Sequence, residues 1–241
     1  MGQYFQPTAY DIETKTCCTI NGYRFFSTCY NDSKEVRAMH YLLRQKPYRI
    51  MWCGDDVLSE HELQSFSTKE DLLALSAFRD DFEWLEEYEK DNKVYRNKEH
   101  FDKLKQIKSY SEEWTRLDDK DISNKALKYF DFENTKSVHY SDYLINHTKK
   151  LAIDLRLYWE NSVVTFCGLR RLVCIDLLPV LTEPTGSPVM FGFRGMTSET
   201  TKSLISTWPG DLLQIVDEVP QEYEQINCCF VNLVDCNGKA I

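Results

Sequence analysis

The sequence predicts an α+β fold, in which both ends of the chain build a mixed, mostly antiparallel sheet and residues 58–137 form a helical insertion. β-prone runs separated by turns fill residues 1–57 and the chain after Tyr143. Between them, residues 59–135 carry 20 acidic and 13 basic residues and show helical periodicity. With 241 residues, 42% of them hydrophobic, the chain suffices for a single α+β domain spanning residues 1–241.

The first end of the chain reads as strands around one helix. The runs "TCCTI" and "YRFFSTCY" flank Asn-Gly at 21–22, a pattern that predicts a β-hairpin. Apolar residues recur at helical spacing between Val36 and Leu43, and Ser33 can cap that helix. Pro47 ends the helix, and "YRIMW" then predicts a buried strand.

The acidic middle of the chain predicts helices that pack against the outside of the β framework. Ser67 and Glu70 have the spacing of a capping box at the start of a long helix. The apolar stripe of that helix consists of Leu75, Phe78, Phe82 and Leu85. A second helix is predicted over residues 99–110, with Phe101, Leu104 and Ile107 or Lys108 inward, and a third from Ser111.

After Tyr143 the pattern returns to strands. "YLINHTKKLAIDLRLYW" alternates in polarity along its second part, which predicts a strand with one apolar and one polar face. Its apolar face consists of Leu151, Ile153, Leu155 and Leu157. "VVTFC", "RLVCIDLLPVLT", "DLLQIVDEV" and "INCCFVNLVDCNGKAI" predict further strands. "EPTGSPVMFGFRGM" reads as a loop, and "TSETTKSLISTW" predicts a helix.

The tetrapeptide Trp-x-Gly-Asp occurs twice, at residues 52–55 and 208–211, each time near an apolar run. Each copy follows a Tyr-led strand and a Lys-bearing turn, so an internal duplication is one interpretation. The motif itself favours a turn, with a buried Trp, a Gly at positive φ and an Asp that accepts backbone N–H groups. The alternative is that Asp55, Asp56 and Asp211 converge as a carboxylate or metal site.

Composition excludes several classes of function. The formal net charge of −9 argues against direct binding of nucleic acid, which needs clustered Lys and Arg. The first residues, "MGQYFQPTAYD", lack the pattern of a signal peptide, and no apolar run reaches membrane-spanning length, so we expect a cytoplasmic protein without membrane contact. The sequence shows no nucleotide motif and no metal motif, and it predicts no cofactor.

The nine cysteines are odd in number and lack zinc-ligand spacing, so we expect reduced thiols. In the adjacent pairs Cys17-Cys18 and Cys228-Cys229, strand alternation predicts one buried and one exposed residue. His147 follows an apolar strand, where a histidine bonded to backbone in a turn is the plainer interpretation and a general base the sharper one.

Four segments carry a family resemblance: "MGQYF" at 1–5, "RIMWCGDD" at 49–56, "YLINHTKK" at 143–150, and "IDLLPVLT" through "STWPGDLLQIVDEVPQEYEQI" at 175–226. In this order they resemble a family of uncharacterised proteins from Gram-positive bacteria, phages and mobile elements that begin Met-Gly-Gln-Tyr-Tyr or Met-Gly-Gln-Tyr-Phe. The resemblance implies a mobile-element context and no mechanism. The dispersed glycines of residues 183–196 depart from the Gly-rich loop of that family.

Two functions follow from these observations. The first is a non-enzymatic binding or inhibitory protein of a phage or mobile element, which contacts a host or competitor protein such as a basic nucleic-acid enzyme. Its candidate partner surface is Glu83, Glu86, Glu87 and Glu89. The alternative is an enzyme or small-molecule binder with a cleft near the two Trp-x-Gly-Asp turns. Its candidate cleft residues are Asp55, Asp211, His147 and Arg194.

Overall fold

A computed structural model describes residues 5–21, 33–54, 58, 63, 68–78, 85, 97–130, 142–166, 169–172, 175–184 and 199–229. In sequence order its strands are β1 (Phe5–Asp11), β2 (Thr16–Thr19), β3 (Tyr48–Gly54), β4 (Thr115–Arg116), β5 (Tyr143–Asn146), β6 (Leu151–Asp154), β7 (Val163–Phe166), β8 (Leu169–Leu172), β9 (Leu212–Val216) and β10 (Glu224–Gln225). The helices are α1 (Lys34–Gln45), α2 (Lys69–Phe78), α3 (Lys98–Ser111), α4 (Asp119–Tyr129), α5 (Leu155–Asn161), α6 (Leu177–Thr182) and α7 (Glu199–Leu204).

The predicted fold class is confirmed. Eight strands form one mixed sheet in the order β10-β6-β5-β9-β3-β1-β2-β4, and β7 and β8 form a separate antiparallel pair. Only the two outermost pairings of the large sheet, β10 with β6 and β4 with β2, are parallel. Strands from both ends of the chain meet at its centre, where β3 and β9 pair antiparallel.

The large sheet consists of two equivalent halves. Each half has an antiparallel hairpin (β1–β2 or β5–β6), an inner strand paired with the first hairpin strand (β3 or β9), and an outer strand parallel to the second (β4 or β10). Tyr48 opens β3 and pairs with Leu213 of β9 at the junction. Strand order, direction and register therefore obey a local twofold axis through this pair.

The two hairpins match in detail. Asp11 pairs with Thr16 across loop 12–15, and Asn146 pairs with Leu151 across loop 147–150, so the loops have equal length. The last loop residue has a positive φ in both, 52° at Lys15 and 57° at Lys150. This agreement supports the duplication hypothesis through the hairpins.

Side chains alternate along each strand and so serve two cores. The main core lies on one face of the whole sheet and holds Ile50 and Trp52 of β3, Leu213 of β9 and apolar residues of α1, α4 and α6. The second core lies on the opposite face, where the first half packs Tyr10, Cys17 and Met51 against α2 and α3. Among the described residues, the second half has a small cluster there, centred on Ile145, Ala152 and Tyr223.

The acidic insertion takes part in both the sheet and the second core. It contributes β4, which pairs with β2, and α2 and α3, which cover the first half of the sheet. The equivalent connection in the second half is residues 217–223, which lead directly from β9 to β10. The helices α2 and α3 pack against the sheet as predicted, but the insertion is no outside appendage, because it also supplies β4 to the sheet and the apolar cover of Tyr10, Cys17 and Met51.

The helix predicted between Ser33 and Pro47 and the helix predicted over residues 99–110 are confirmed as α1 and α3. Ser33 caps α1 through the Val36 N–H. At the start of α2 the reciprocal capping bonds join Thr68 and Asp71, with the Asp71 N–H 3.1 Å from the Thr68 hydroxyl and the Thr68 N–H 3.0 Å from the Asp71 carboxylate. The box is thus one residue later than predicted, and Ser67 lies outside the described residues.

Three local predictions of strand fail, and in two of them a polar cap overrides the strand pattern. The run after Tyr143 is a hairpin followed by α5, which Asp154 caps through the Leu157 N–H. "LLPVLT" is the buried helix α6, capped by Asp176 through the Leu178 N–H. Residues 226–229, predicted as strand, are irregular.

No helix starts at Ser111, because Trp114 turns into the second core and donates to the Ser76 hydroxyl at 2.9 Å. The backbone instead enters β4, and the next helix, α4, begins at Asp119. The second run of the hairpin predicted at 21–22 lies outside the described residues, while β2 pairs with β1 and with β4. Among the described helices, none is long and apolar enough to cross a membrane.

Candidate ligand-binding cleft

Two of the four candidate cleft residues, Asp211 and His147, are described, and the other two, Asp55 and Arg194, lie outside the described residues. The third carboxylate of the predicted metal site, Asp56, also lies outside them. So does the candidate partner surface, which consists of Glu83, Glu86, Glu87 and Glu89. The structure brings Asp211 and His147 to the same turn region, beside loop 147–150. The backbone N–H of His147 donates to the backbone carbonyl of Leu212, the residue after Asp211, at 2.8 Å.

Asp211 is held by side chains of the second hairpin. Its carboxylate accepts a hydrogen bond from the Asn146 amide at 2.7 Å and forms an ion pair with Lys149. The Asn146 side chain in turn accepts from the Lys149 N–H at 2.9 Å. These bonds fix the approach to β9, although the donors predicted for Asp211 were backbone N–H groups of its own turn.

His147 is bonded through its ring to side chains, and not to backbone as expected. Its Nδ1 lies 2.6 Å from the hydroxyl of Tyr223, and its Nε2 lies 3.1 Å from the side-chain oxygen of Gln214. Lys150 reaches the same hydroxyl at 3.2 Å. The imidazole therefore joins β5, β9 and the segment before β10, and both of its nitrogens are occupied.

The two Trp-x-Gly-Asp copies are not equivalent in the fold. Trp52 and Gly54 belong to β3, where Gly54 pairs with Phe5, whereas Trp208 precedes β9. Gly210 has the predicted positive φ of 73°, and its N–H donates to the Ile50 carbonyl at 2.8 Å. The repeated tetrapeptide therefore does not mark the internal duplication, although both tryptophans reach the main core.

A charged cleft of about 770 Å³ opens beside the second copy of the motif. It lies between loop 12–15, the start of β3, the first turn of α2 and the end of α3. Its lining residues are Asp11, Ile12, Glu13, Lys15, Lys46, Pro47, Arg49, Lys69, Glu70, Leu73, Tyr110, Glu113 and Leu212. Four of these side chains are cationic and four are carboxylates, so the lining is balanced in charge.

Two ion pairs fix the walls of the charged cleft. Lys46 contacts Asp11 at 2.7 Å, and Lys15 contacts Glu113 at 3.1 Å. Partial burial opposes ionisation of Asp11, but hydrogen bonds from Lys46 and Thr14 outweigh it and lower the pKa of this carboxyl. The hydrogen bond to Asp11 raises the pKa of Lys46. Both groups are charged at neutral pH.

Two cations of the charged cleft, Arg49 and Lys69, have no carboxylate partner among the described residues, and of these Arg49 is the half-buried one. Its guanidinium donates one hydrogen bond, from Nη1 to the Gly210 carbonyl at 2.7 Å. A guanidinium carries five N–H donors in a planar fork, so most of its donors are available to a ligand. The side chain is half-buried, which holds it against the sheet and beside Leu212, its partner across the β3–β9 junction.

The core holds a buried polar pair that the sequence did not predict. His40 on α1 lies 3.1 Å and 3.0 Å from the two carboxylate oxygens of Asp176, and both side chains are fully enclosed. The sequence feature that could have indicated this pair is the position of His40 on the apolar face of α1, between Met39 and Leu43. The pair joins α1 to the cap of α6 and is inaccessible to a ligand.

The described cysteines are all free, and the most buried ones are poor nucleophiles. Burial raises the pKa of Cys18 and of Cys228 to about 12 and that of Cys53 well above the ordinary value. Cys17 and Cys18 are both buried, contrary to the expected alternation, because the sheet is covered on both faces at β2.

Within the described residues, no group of three or more His, Cys, Asp or Glu side chains is placed to hold a metal ion. Comparison with protein-family models, with characterised proteins and with solved structures gives no match to this protein. The geometry of the charged cleft is therefore the basis for a functional proposal, and the family resemblance stays a prediction.

Proposed function

We propose that this protein is a non-enzymatic protein-binding or inhibitory protein of a phage or mobile element, and that the charged cleft is where it contacts a host or competitor protein. The observation that carries the proposal is the cleft itself, in which four segments of the sequence place charged side chains around an opening of about 770 Å³. Small-molecule pockets of that size are mostly apolar. A charged, balanced lining suits the polar side chains of a protein segment better.

The rim of the charged cleft is suited to recognition. Glu13, Lys69 and Glu70 are exposed on it, whereas Asp11 and Lys46 hold each other in place. Exposed rim charges mainly set the rate of association and the choice of partner, while enclosed groups set the lifetime of the complex. A partner with a complementary charge pattern would meet both kinds of group in this cleft.

The environments of the reactive groups support binding over catalysis. The thiols of Cys18, Cys53 and Cys228 are held protonated by burial. The His40–Asp176 pair is enclosed between α1 and α6. His147 has both ring nitrogens bonded to neighbouring side chains. Each of these groups is accounted for by its role in holding the fold.

The experiment is affinity capture from host cells with matched charge reversals. Lys69→Glu changes the rim of the charged cleft, and Lys128→Glu makes the same change of charge on the exposed face of α4. We expect Lys69→Glu to reduce the captured partner at least about tenfold, which corresponds to about 1.4 kcal/mol, and Lys128→Glu to leave it unchanged. Equal capture by both variants and the unaltered protein would contradict the proposal.

A second arm separates the cleft from the acidic surface predicted from the sequence. Charge reversal of Glu83, Glu86, Glu87 and Glu89 tests that surface directly. If the partner is lost with this variant and retained with Lys69→Glu, the contact lies on the acidic segment and not in the cleft. Loss with Lys69→Glu alone assigns the contact to the cleft.

A further inference from the structure

We infer that Arg49 is the anchor of the charged cleft and binds a carboxylate of the partner, supplied either by the side group of an Asp or Glu residue or by a free carboxyl terminus. This inference rests on the proposed function and adds the chemical group that the site recognises. Its basis is a half-buried guanidinium that lines the cleft and has one bonded acceptor, the Gly210 carbonyl.

The other cations of the charged cleft are less suited to this role. Lys46 is paired with Asp11 and packs over the ring of Tyr48, and Lys15 is paired with Glu113 and packs over Trp114. Lys69 is exposed at the start of α2. Arg49 alone combines partial burial with a planar fork of donors, the geometry that matches two carboxylate oxygens.

The position of Arg49 is fixed by the sheet. It pairs with Tyr10 on one side and with Leu212 on the other, at the junction of the two halves. Its bond to Gly210 ties the guanidinium to the turn before β9. A donor fork that is already held in place loses little conformational entropy when a ligand binds.

The charge balance of the lining favours a carboxylate over a phosphate. Glu13 and Glu70 line the cleft without an ion-pair partner among the described residues. A dianionic phosphate at Arg49 would be repelled by these carboxylates more strongly than a single carboxylate. The equivalent residue of the second half is Gln214, which is bonded to His147, so the cationic anchor is present in the first half of the sheet only.

The test is an NMR titration at fixed ionic strength, with the Arg49 Nε–H signal and the Leu212 methyl signals as readouts. The probes are acetyl-Gly-Glu-Gly-amide for the carboxylate of a Glu residue, acetyl-Gly-Gly-Gly with a free carboxyl terminus for a terminal one, and inorganic phosphate. Acetyl-Gly-Gln-Gly-amide is the neutral control. We expect saturable shifts with at least one carboxylate peptide and at least about tenfold weaker binding of the neutral peptide and of phosphate.

Variants assign the binding to Arg49. Arg49→Lys keeps the charge but not the fork, and we expect about tenfold weaker binding, while Lys128→Gln leaves it unchanged. The double variant Glu13→Gln with Glu70→Gln leaves Arg49 intact, and we expect it to bind the peptide several-fold more tightly because two repelling charges are removed. This variant keeps the test decisive if substitution of Arg49 disturbs the fold.

Any of four results would overturn the inference. These are non-saturable shifts, equal binding of the Glu and Gln peptides, tighter binding of phosphate, and binding that Arg49→Lys and the double variant both leave unchanged.

The proposed function is tested separately. If no carboxylate binds but Lys69→Glu still abolishes partner capture, only the anchor is wrong. If a carboxylate binds at Arg49 but capture is unaffected by Lys69→Glu, the anchor stands and the contact proposed for the cleft is wrong.

Discussion

Lys15 and Lys150 occupy the same position in two equivalent hairpins. Each is the last residue of its loop, each has a positive φ, and each places its ammonium group over an aromatic ring, Trp114 at 5.4 Å and Tyr223 at 4.7 Å. The two rings lie immediately before the equivalent strands β4 and β10. The carbonyls of both lysines accept the first N–H of those strands, from Thr115 at 2.7 Å and Glu224 at 2.9 Å.

Substitution of these lysines tests the equivalence of the halves. Valine is strongly disfavoured at positive φ, so Lys15→Val and Lys150→Val are each expected to lower the free energy of unfolding by about 1–2 kcal/mol. Asparagine tolerates this backbone conformation and serves as the control in Lys15→Asn and Lys150→Asn. The measurement is urea unfolding; a large effect at one position and none at the other would argue against equivalent loops.

The pair of Asp11 and Lys46 predicts a pH dependence. The pKa of Asp11 is lowered in the folded protein, so its stabilising effect is complete above the unfolded pKa of about 4 and is lost as the pH falls through the folded value. We expect the stability difference between the unaltered protein and Asp11→Asn to be constant above about pH 5 and to shrink below about pH 4. Urea unfolding from about pH 3 to about pH 7 measures it. A difference that grows towards low pH has the opposite sign and contradicts the prediction.

Gly210 and Tyr10 predict a coupled pair of substitutions. Gly210 has a φ of 73°, and a Cβ there would lie 2.9 Å from the Tyr10 hydroxyl oxygen. Gly210→Ala is expected to cost about 2 kcal/mol from the backbone conformation and this contact. Adding Tyr10→Phe removes the hydroxyl and should recover about half of the loss. A double-mutant cycle by thermal unfolding measures the coupling, and strictly additive effects would show that the contact is not responsible.

Asp176 is predicted to matter twice, as the cap of α6 and as the partner of His40. Asp176→Ala removes both bonds and should lower the free energy of unfolding by about 2–4 kcal/mol. Asp176→Asn retains a capping oxygen and an acceptor for His40, and should cost less than half as much. Chemical denaturation compares the two variants. Equal losses would show that the negative charge, and not the hydrogen bonds, stabilises this pair.

Periodicity and capping residues predicted the α+β class and helices α1 and α3, because those signals are local. The sequence could not predict that α2 and α3 cover one half of the sheet. This packing depends on strand pairing, which places Tyr10 and Met51 together on one face of the sheet and makes that face apolar. The duplication was visible in the Lys-bearing turns, but the Trp-x-Gly-Asp repeat pointed to non-equivalent positions.

The position of the charged cleft could be predicted only in part from the sequence. The repeated motif pointed to a cleft near the second Trp-x-Gly-Asp turn, and Leu212, directly after that turn, does line it. Arg49 was missed, since an arginine at the start of a strand carries no signal of its own. Its place in the cleft depends on the β3–β9 junction, which brings it to the Gly210 carbonyl.

Site-specific photo-cross-linking in host cells tests the central claim, that the charged cleft is the contact surface, most directly. A photoreactive phenylalanine derivative replaces Glu13 at the exposed rim of the cleft, and replaces Lys128 on the exposed face of α4 as the control. We predict one discrete cross-linked partner protein from position 13 and none from position 128. A partner that cross-links equally from both positions, or only from position 128, would contradict the claim.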